Sequence, residues 1–289
     1  MAVEQCDQDS IAVSFVTMSE EVSNVNMNRL EPSFMYTQLF KEILLEMKDD
    51  ENSVKVLTAY CRNFYKGNTR DSKIIDEFER DYRSESAIWW YTRECFAYRM
   101  LNQALRALEG DTIINMGFFI RDLHRQIQQL HMTQQAKQYD GKLLIVYRGQ
   151  GLSKIDFDKL MKTKDALMSF NNFLSTSVDR NISLSYAKKV RSKTDTVGVL
   201  FRMIIPPCIL STPFAFIHEY SHYKTEEEIL FSMHAVFRVN KITKIDTDDS
   251  LYQVSHKQSL CLSRLLNGTI NLTKSKCSIF LRRCDLIRP

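Results

Sequence analysis

Apolar positions in the first half of the chain recur at helical spacing. Phe34, Leu39, Phe40, Ile43, Leu44 and Met47 follow Pro32, a residue suited to the first turn of a helix. A second helix is predicted to end near Gly67, because glycine supplies the left-handed turn that stops one. Ser84 precedes Ala87-Ile88-Trp89-Trp90-Tyr91 and a long helix through Leu108, closed by Gly110. Beyond it Met116, Phe119, Leu123, Ile127 and Leu130 step by three or four, one apolar stripe down one face. The large rings on these helices read as core packing.

The pattern changes at Tyr139-Asp140-Gly141. A short apolar run from Lys142 is cut off by Gly149 and reads as a strand. Residues 173–178 read as a second strand, 197–206 as a third and 229–239 as a long fourth. Side chains alternate along a strand, so Ile229, Phe231, Met233, Ala235, Phe237 and Val239 would share one face of the fourth. Helical pieces between the strands are too few for a doubly wound parallel sheet. The expected class is α+β, a helical N-terminal half packed on a β core. The boundaries drawn are an N-terminal extension over 1–30, a helical region over 31–138, a β core over 139–255 and a basic tail over 256–289.

Composition adds limits. Eight Gly and five Pro leave few linkers. The first residues, MAVEQCDQDSIAVSF, carry acids where a signal peptide needs positive charge, and no run approaches the ~18 apolar residues of a membrane span. A cytoplasmic protein is expected. Seven Cys without C-x-x-C spacing fit reduced thiols better than a disulfide framework. The formal charge of +4 is unevenly held: residues 251–289 carry +6, the remainder −2. A basic tail can bind nucleic acid, but this one has no nucleic-acid motif and holds three of the cysteines, so nucleic acid is not an expected partner.

Three stretches carry candidate chemistry. His218-Glu219-Tyr220-Ser221-His222 spells H-E-x-x-H, which binds zinc only on a helix, where positions i and i+4 share a face. Rings at alternate positions (Phe214, Phe216, His218, Tyr220, His222) suit an extended chain instead, and the third ligand is missing: Thr225 and Glu228 stand where the longer zinc signature wants Gly and His. The match reads as accidental, and no metal is expected. Glu226-Glu227-Glu228 opens the fourth strand. Alternation puts Glu226 and Glu228 on one face, ~7 Å apart, with Glu227 turned away; such a pair can stabilise a developing cation and take up a proton, while a solvated acidic loop is the plain reading. Arg148, in Tyr147-Arg148-Gly149-Gln150-Gly151, stands at a strand end beside a glycine and can fork onto a phosphate. Ser175 and Ser177 share one face of the second strand, where hydroxyls could hold a ribose or a carboxylate.

In order, Arg148, Ser175-Thr176-Ser177 and Glu226-Glu227-Glu228 resemble the R-S-E signature of arginine-specific mono-ADP-ribosyltransferases. Ile217 to Leu230 resembles that family's loop before its catalytic Glu, and Ala87–Thr92 with Asn102–Arg106 resembles its helix with an N-x-x-L-R element. The likeness spans roughly residues 80–255, so 80–138 would belong to the transferase fold. It implies a split antiparallel β-sandwich that clasps NAD+ as co-substrate, with no resident cofactor. By that likeness Arg148 would grip the NAD+ phosphates and the Gly149 backbone the nicotinamide amide. Ser175 would position Glu228, and Glu228 would stabilise the oxocarbenium-like ribose as nicotinamide leaves. Glu226 would orient the acceptor guanidinium and help deprotonate it. Tyr223 would meet the acceptor, Tyr186 would cover nicotinamide, and Asn102 and Asn172 would reach NAD+. The partners implied are NAD+ and a protein arginine. An NAD glycohydrolase, with water as acceptor, and a non-catalytic NAD-binding module are the alternatives.

Overall fold

The computed structural model describes residues 13–16, 38, 41–46, 52–138, 142–162, 166–190, 195–207, 212–224, 227–245 and 251–258. The helix expected after Pro32 lies outside them apart from Gln38 and the helical stretch 41–46, and the tail lies outside beyond residue 258.

Helix α1 (Ser53–Phe64) ends where predicted, and Gly67 turns the chain at φ 88°. Asn68 then starts α2 (Thr69–Asp81), its Oδ1 accepting the N–H groups of Arg70 and Asp71 at 3.1 and 3.2 Å. The long helix expected from 87 to 108 is two helices, α3 (Ala87–Thr92) and α4 (Phe96–Ala107), and the cause of the break is tertiary. Arg93 leaves helical geometry (ψ 104°) while its guanidinium bonds both oxygens of Glu77 on α2, at 2.7 and 2.9 Å. The stop that closes α4 is Leu108, left-handed at φ 56°, and not Gly110, which opens α5 (Gly110–Asn115). A left-handed leucine has no sequence signature. The apolar stripe holds: Phe119, Leu123 and Ile127 on α6 (Gly117–Gln138) are fully buried, with Met116 just before it.

Among the described residues nine strands form one sheet in the order β1-β3-β8-β9-β5-β2-β4-β7-β6, antiparallel except between β5 and β9. They are β1 (Val13–Val16), β2 (Leu144–Ser153), β3 (Leu167–Phe170), β4 (Leu174–Ser177), β5 (Thr196–Ile205), β6 (Phe214–Phe216), β7 (Glu228–Phe231), β8 (Ala235–Lys244) and β9 (Leu251–Gln258). Helix α7 (Lys154–Lys162) follows β2, and α8 (Arg180–Val190) joins β4 to β5. The predicted fourth strand is broken at Ser232–His234, where His234 adopts φ 61°. The shared face is corrected accordingly. Ile229, Phe231, Ala235, Phe237 and Val239 face the core inside the sheet, whereas Met233 joins Leu230 in the core beneath the helices.

Two joints in this sheet position the site. Among the described residues β2 and β4 pair at one position only, Tyr147↔Ser177, and beyond it the strands part. At the far edge, α6 closes β6 with side chains. Gln134 donates to Phe216 O at 2.8 Å and accepts from Phe216 N at 2.9 Å, while the His131 ring meets Phe214 O at 2.8 Å. An edge so covered offers no free ladder to another chain.

Candidate active site

Register brings three strands into one row. Tyr147 on β2 stands beside Ser177 on β4, and Ser177 beside Glu228 on β7. Paired residues point to one side of the sheet, so Ser177 is the nearest cross-strand neighbour of Glu228, and Ser175, paired with Leu230, is its diagonal one. Sequence alternation puts both serines on that face but cannot rank them; only register does. Glu228 is half-buried, and its main-chain oxygen accepts the N–H of Ile217 at 3.1 Å. Glu226 lies outside the described residues.

Where β2 and β4 part, Arg148 spans the gap. Its guanidinium donates to Ser175 O at 2.9 Å and to Gln150 Oε1 at 3.2 Å, and Gln150 is itself 3% exposed. The bond to Ser175 O satisfies an acceptor that the parted ladder no longer serves. Gln150 carried no signal in the sequence, because its role depends on its position two residues along the same strand face.

Helix α8 forms the wall over β2. A Cβ on Gly149 would stand 1.8 Å from Ser183 O and 2.8 Å from Ala187 N. One on Gly151 would meet Val190 at 2.2 Å, and one on Gly198, paired with Gly151, would meet Ala187 O at 2.4 Å. The G-x-G stretch therefore seats a helix directly on the sheet. The N-terminus of α8 is tied to β4: Asp179 N donates to Ser177 Oγ at 3.0 Å, and Asn181 N to Asp179 Oδ1 at 2.7 Å. Tyr186 lies half-buried on this helix.

The two asparagines are brought together, on each other. Asn172 Nδ2 donates to Asn102 Oδ1 at 2.9 Å and Asn102 O at 3.2 Å, and Asn102 Nδ2 donates to Tyr98 O at 3.1 Å. Both are buried, at 1% and 7% exposure, so they fasten α4 to the β3–β4 connection. Asn172 Oδ1 keeps no hydrogen-bond partner among the described residues.

His218 to His222 form turns, with Tyr220 N and Ser221 N both bonding Ile217 O at 2.8 Å. The two imidazoles are thus not stacked on a helix face as zinc would need, and among the described residues no group of three His, Cys, Asp or Glu could hold a metal ion. Tyr223 is 40% exposed, its ring edge-on to His222 at 4.7 Å. Burial and the nearby Arg93 lower the His222 pKa.

A family model matches about two thirds of the chain. The chain belongs to the ADP-ribosyltransferase exoenzyme family, whose model matches residues 72–262. It is therefore a transferase of ADP-ribose from NAD+. Among solved structures it is similar to Plx2a, an ADP-ribosyltransferase toxin from Paenibacillus larvae, at 17% identity over 69% of this chain and 95% of that one, with a TM-score of 0.44. It is also similar to HopU1 of Pseudomonas syringae pv. Tomato, at 14% identity over 74% and 99% of the two chains and TM-score 0.46. The Vis toxin from Vibrio splendidus gives 18% identity over 75% and 90%, with a TM-score of 0.44. No curated protein matches. Among the described residues no helix is long and apolar enough to cross a membrane.

Proposed function

We propose that the chain transfers ADP-ribose from NAD+ to the guanidinium of a protein arginine, releasing nicotinamide. The observation that carries the reading is the row Tyr147–Ser177–Glu228 at the point where β2 and β4 part, with Arg148 reaching across the gap. Arg148, Ser175 and Glu228 stand on the neighbouring strands β2, β4 and β7, which supports this reading.

In this reading Arg148 turns part of its guanidinium to the NAD+ phosphates and Gly149 offers backbone to the nicotinamide amide. Tyr186 covers the ring from α8, and Asn172, whose buried Oδ1 keeps no hydrogen-bond partner among the described residues, reaches NAD+. The bond between nicotinamide nitrogen and ribose C1′ breaks with its electron pair leaving on nicotinamide, and positive charge develops on the ribose. Glu228 faces that charge, held by its strand neighbours Ser177 and Ser175. A carboxylate ~4 Å from a unit positive charge contributes about 4 kcal/mol at an effective dielectric near 20, on the order of 10³ in rate. A guanidinium with a pKa above ~12 is a poor nucleophile. Glu226, two residues upstream, takes its proton as the guanidine nitrogen attacks C1′, and Tyr223 meets the acceptor.

Incubation with NAD+ and an arginine-containing acceptor, followed by mass spectrometry of the modified residue, tests this directly. Glu228→Gln is expected to abolish both transfer and NAD+ hydrolysis, by roughly 10³-fold or more, whereas Glu226→Gln spares hydrolysis and loses transfer. Modification of a residue other than arginine, or full activity of Glu228→Gln, overturns the assignment.

A further inference from the structure

The described stretch 218–224 before Glu228 is tied down twice. Its base is closed by the bond from Ile217 N to Glu228 O. Halfway along, His222 N donates to Thr92 Oγ1 at 2.9 Å, linking it to the last residue of α3, 130 positions away. The Thr92 hydroxyl donates its own proton to Ile88 O at 2.9 Å, which leaves a lone pair aimed at the loop. The His222 ring lies against Trp89 at 5.1 Å. The Arg93 guanidinium lies over the same Trp89 ring, also at 5.1 Å, and is locked to Glu77 by the two bonds described above.

A line of support therefore runs from α2 through Glu77, Arg93, Trp89 and His222 to Tyr223, the exposed ring beside His222. Packing for stability alone does not account for it. Glu219, Tyr220, His222 and Tyr223 are exposed, so the loop buries little apolar surface of its own. What the anchor does fix is the place of Tyr223, one residue from the pinned amide.

We propose that Thr92 and Trp89 are positioning residues for acceptor recognition: they hold the loop so that Tyr223 meets the acceptor guanidinium, and they leave NAD+ cleavage to β7 and β4. The proposal rests on the arginine-acceptor reading above. The separation follows from the two ties, since loss of the bond at His222 leaves the base at Glu228 closed.

The test measures loop anchoring and activity separately. Trypsin cleavage after the exposed Lys224 is followed in the parent, Thr92→Val, Thr92→Ser, Trp89→Leu and Trp89→Phe, alongside thermal unfolding. Thr92→Val removes the acceptor of one hydrogen bond, so cleavage is expected to speed up roughly two- to ten-fold. NAD+ hydrolysis without acceptor stays within about two-fold of the parent, and the KM for a guanidinium acceptor rises by a similar two- to ten-fold factor at little change in KM for NAD+. Thr92→Ser restores both, and Trp89→Phe retains what Trp89→Leu loses. Unchanged cleavage in Thr92→Val and Trp89→Leu, or hydrolysis falling in step with transfer, overturns the proposal. If the parent modifies no guanidinium, the arginine reading fails and the proposed acceptor role falls with it, while the proteolysis still decides whether Thr92 and Trp89 anchor the loop.

Discussion

At Gly149 one absent carbon decides whether α8 can lie on the sheet. A Cβ there meets backbone atoms of Ser183 and Ala187, which cannot swing aside as a side-chain end can. Gly149→Ala is expected to cost about 3 kcal/mol or more, through displacement of α8, read as a lower urea midpoint with an unchanged slope. Gly110→Ala is the control. Nothing lies within 4 Å of a Cβ at that position and its φ is not left-handed, so the change is expected to be neutral or stabilising by a few tenths of a kcal/mol. The same small scale governs the row beside Glu228: Ser175 and Ser177 differ by two residues on one strand, yet only Ser177 stands directly beside Glu228.

At the scale of elements, α6 does two jobs. One face buries Phe119, Leu123 and Ile127, and His131 and Gln134 complete the edge of β6 in place of a further strand. Since Gln134 both donates to and accepts from Phe216, its amide copies the pairing that a strand residue would make. Gln134→Ala leaves that N–H and C=O without their partner, an expected cost of about 1–3 kcal/mol. Hydrogen exchange at the Phe216 amide would speed up with it, while amides of the central β5 stay protected. Unchanged exchange at Phe216 would mean that the clasp contributes nothing to the edge.

Over the whole molecule, buried histidines are expected to make the fold sensitive to acid. His256, fully buried among Phe170, Phe201 and Phe237, has no hydrogen-bond partner for either ring nitrogen among the described residues, and burial pushes its pKa down to about 3. His124, bonded to Ser232 Oγ at 2.5 Å, is likewise lowered to about 3, by burial and by Lys41 and Arg125. Both are neutral in the fold and titrate near 6.5 when unfolded, so protons favour the unfolded chain below that pH. Their contribution is whole above pH ~6.5 and is lost as pH falls toward about 3. From pH 7 to 5.5 the expected loss is on the order of 1 kcal/mol each. Denaturation at the two pH values would show it, and His256→Leu should remove the His256 share alone. His131 and His222 are shifted the same way and add to the slope. Glu77, held below the usual carboxylate range by Arg93, contributes only at lower pH.

Periodicity was enough for the class and much of the plan. The stripe from Met116 to Leu130, the strands over 174–177 and 196–205, the start of β2 and the order Arg148, Ser175, Glu228 were legible because side-chain spacing follows directly from backbone geometry, but Gly149 does not end β2, which runs on to Ser153 paired with β5 and leaves Arg148 in mid-strand. Contacts between distant segments were not. The break at Arg93 depends on Glu77, the break at His234 on which core each neighbour enters, and the strands β1, β3, β6 and β9 on partners far along the chain. The candidate site divides in the same way. The sequence by itself determined which residue types are present and which strand face they share. Only the tertiary structure decided that β2 and β4 meet at one pair, that Arg148 bridges where they part, and that Thr92 and Trp89 hold the loop before Glu228. Spacing is a local property of the backbone, whereas register and anchoring are chosen by the free energy of packing the whole chain.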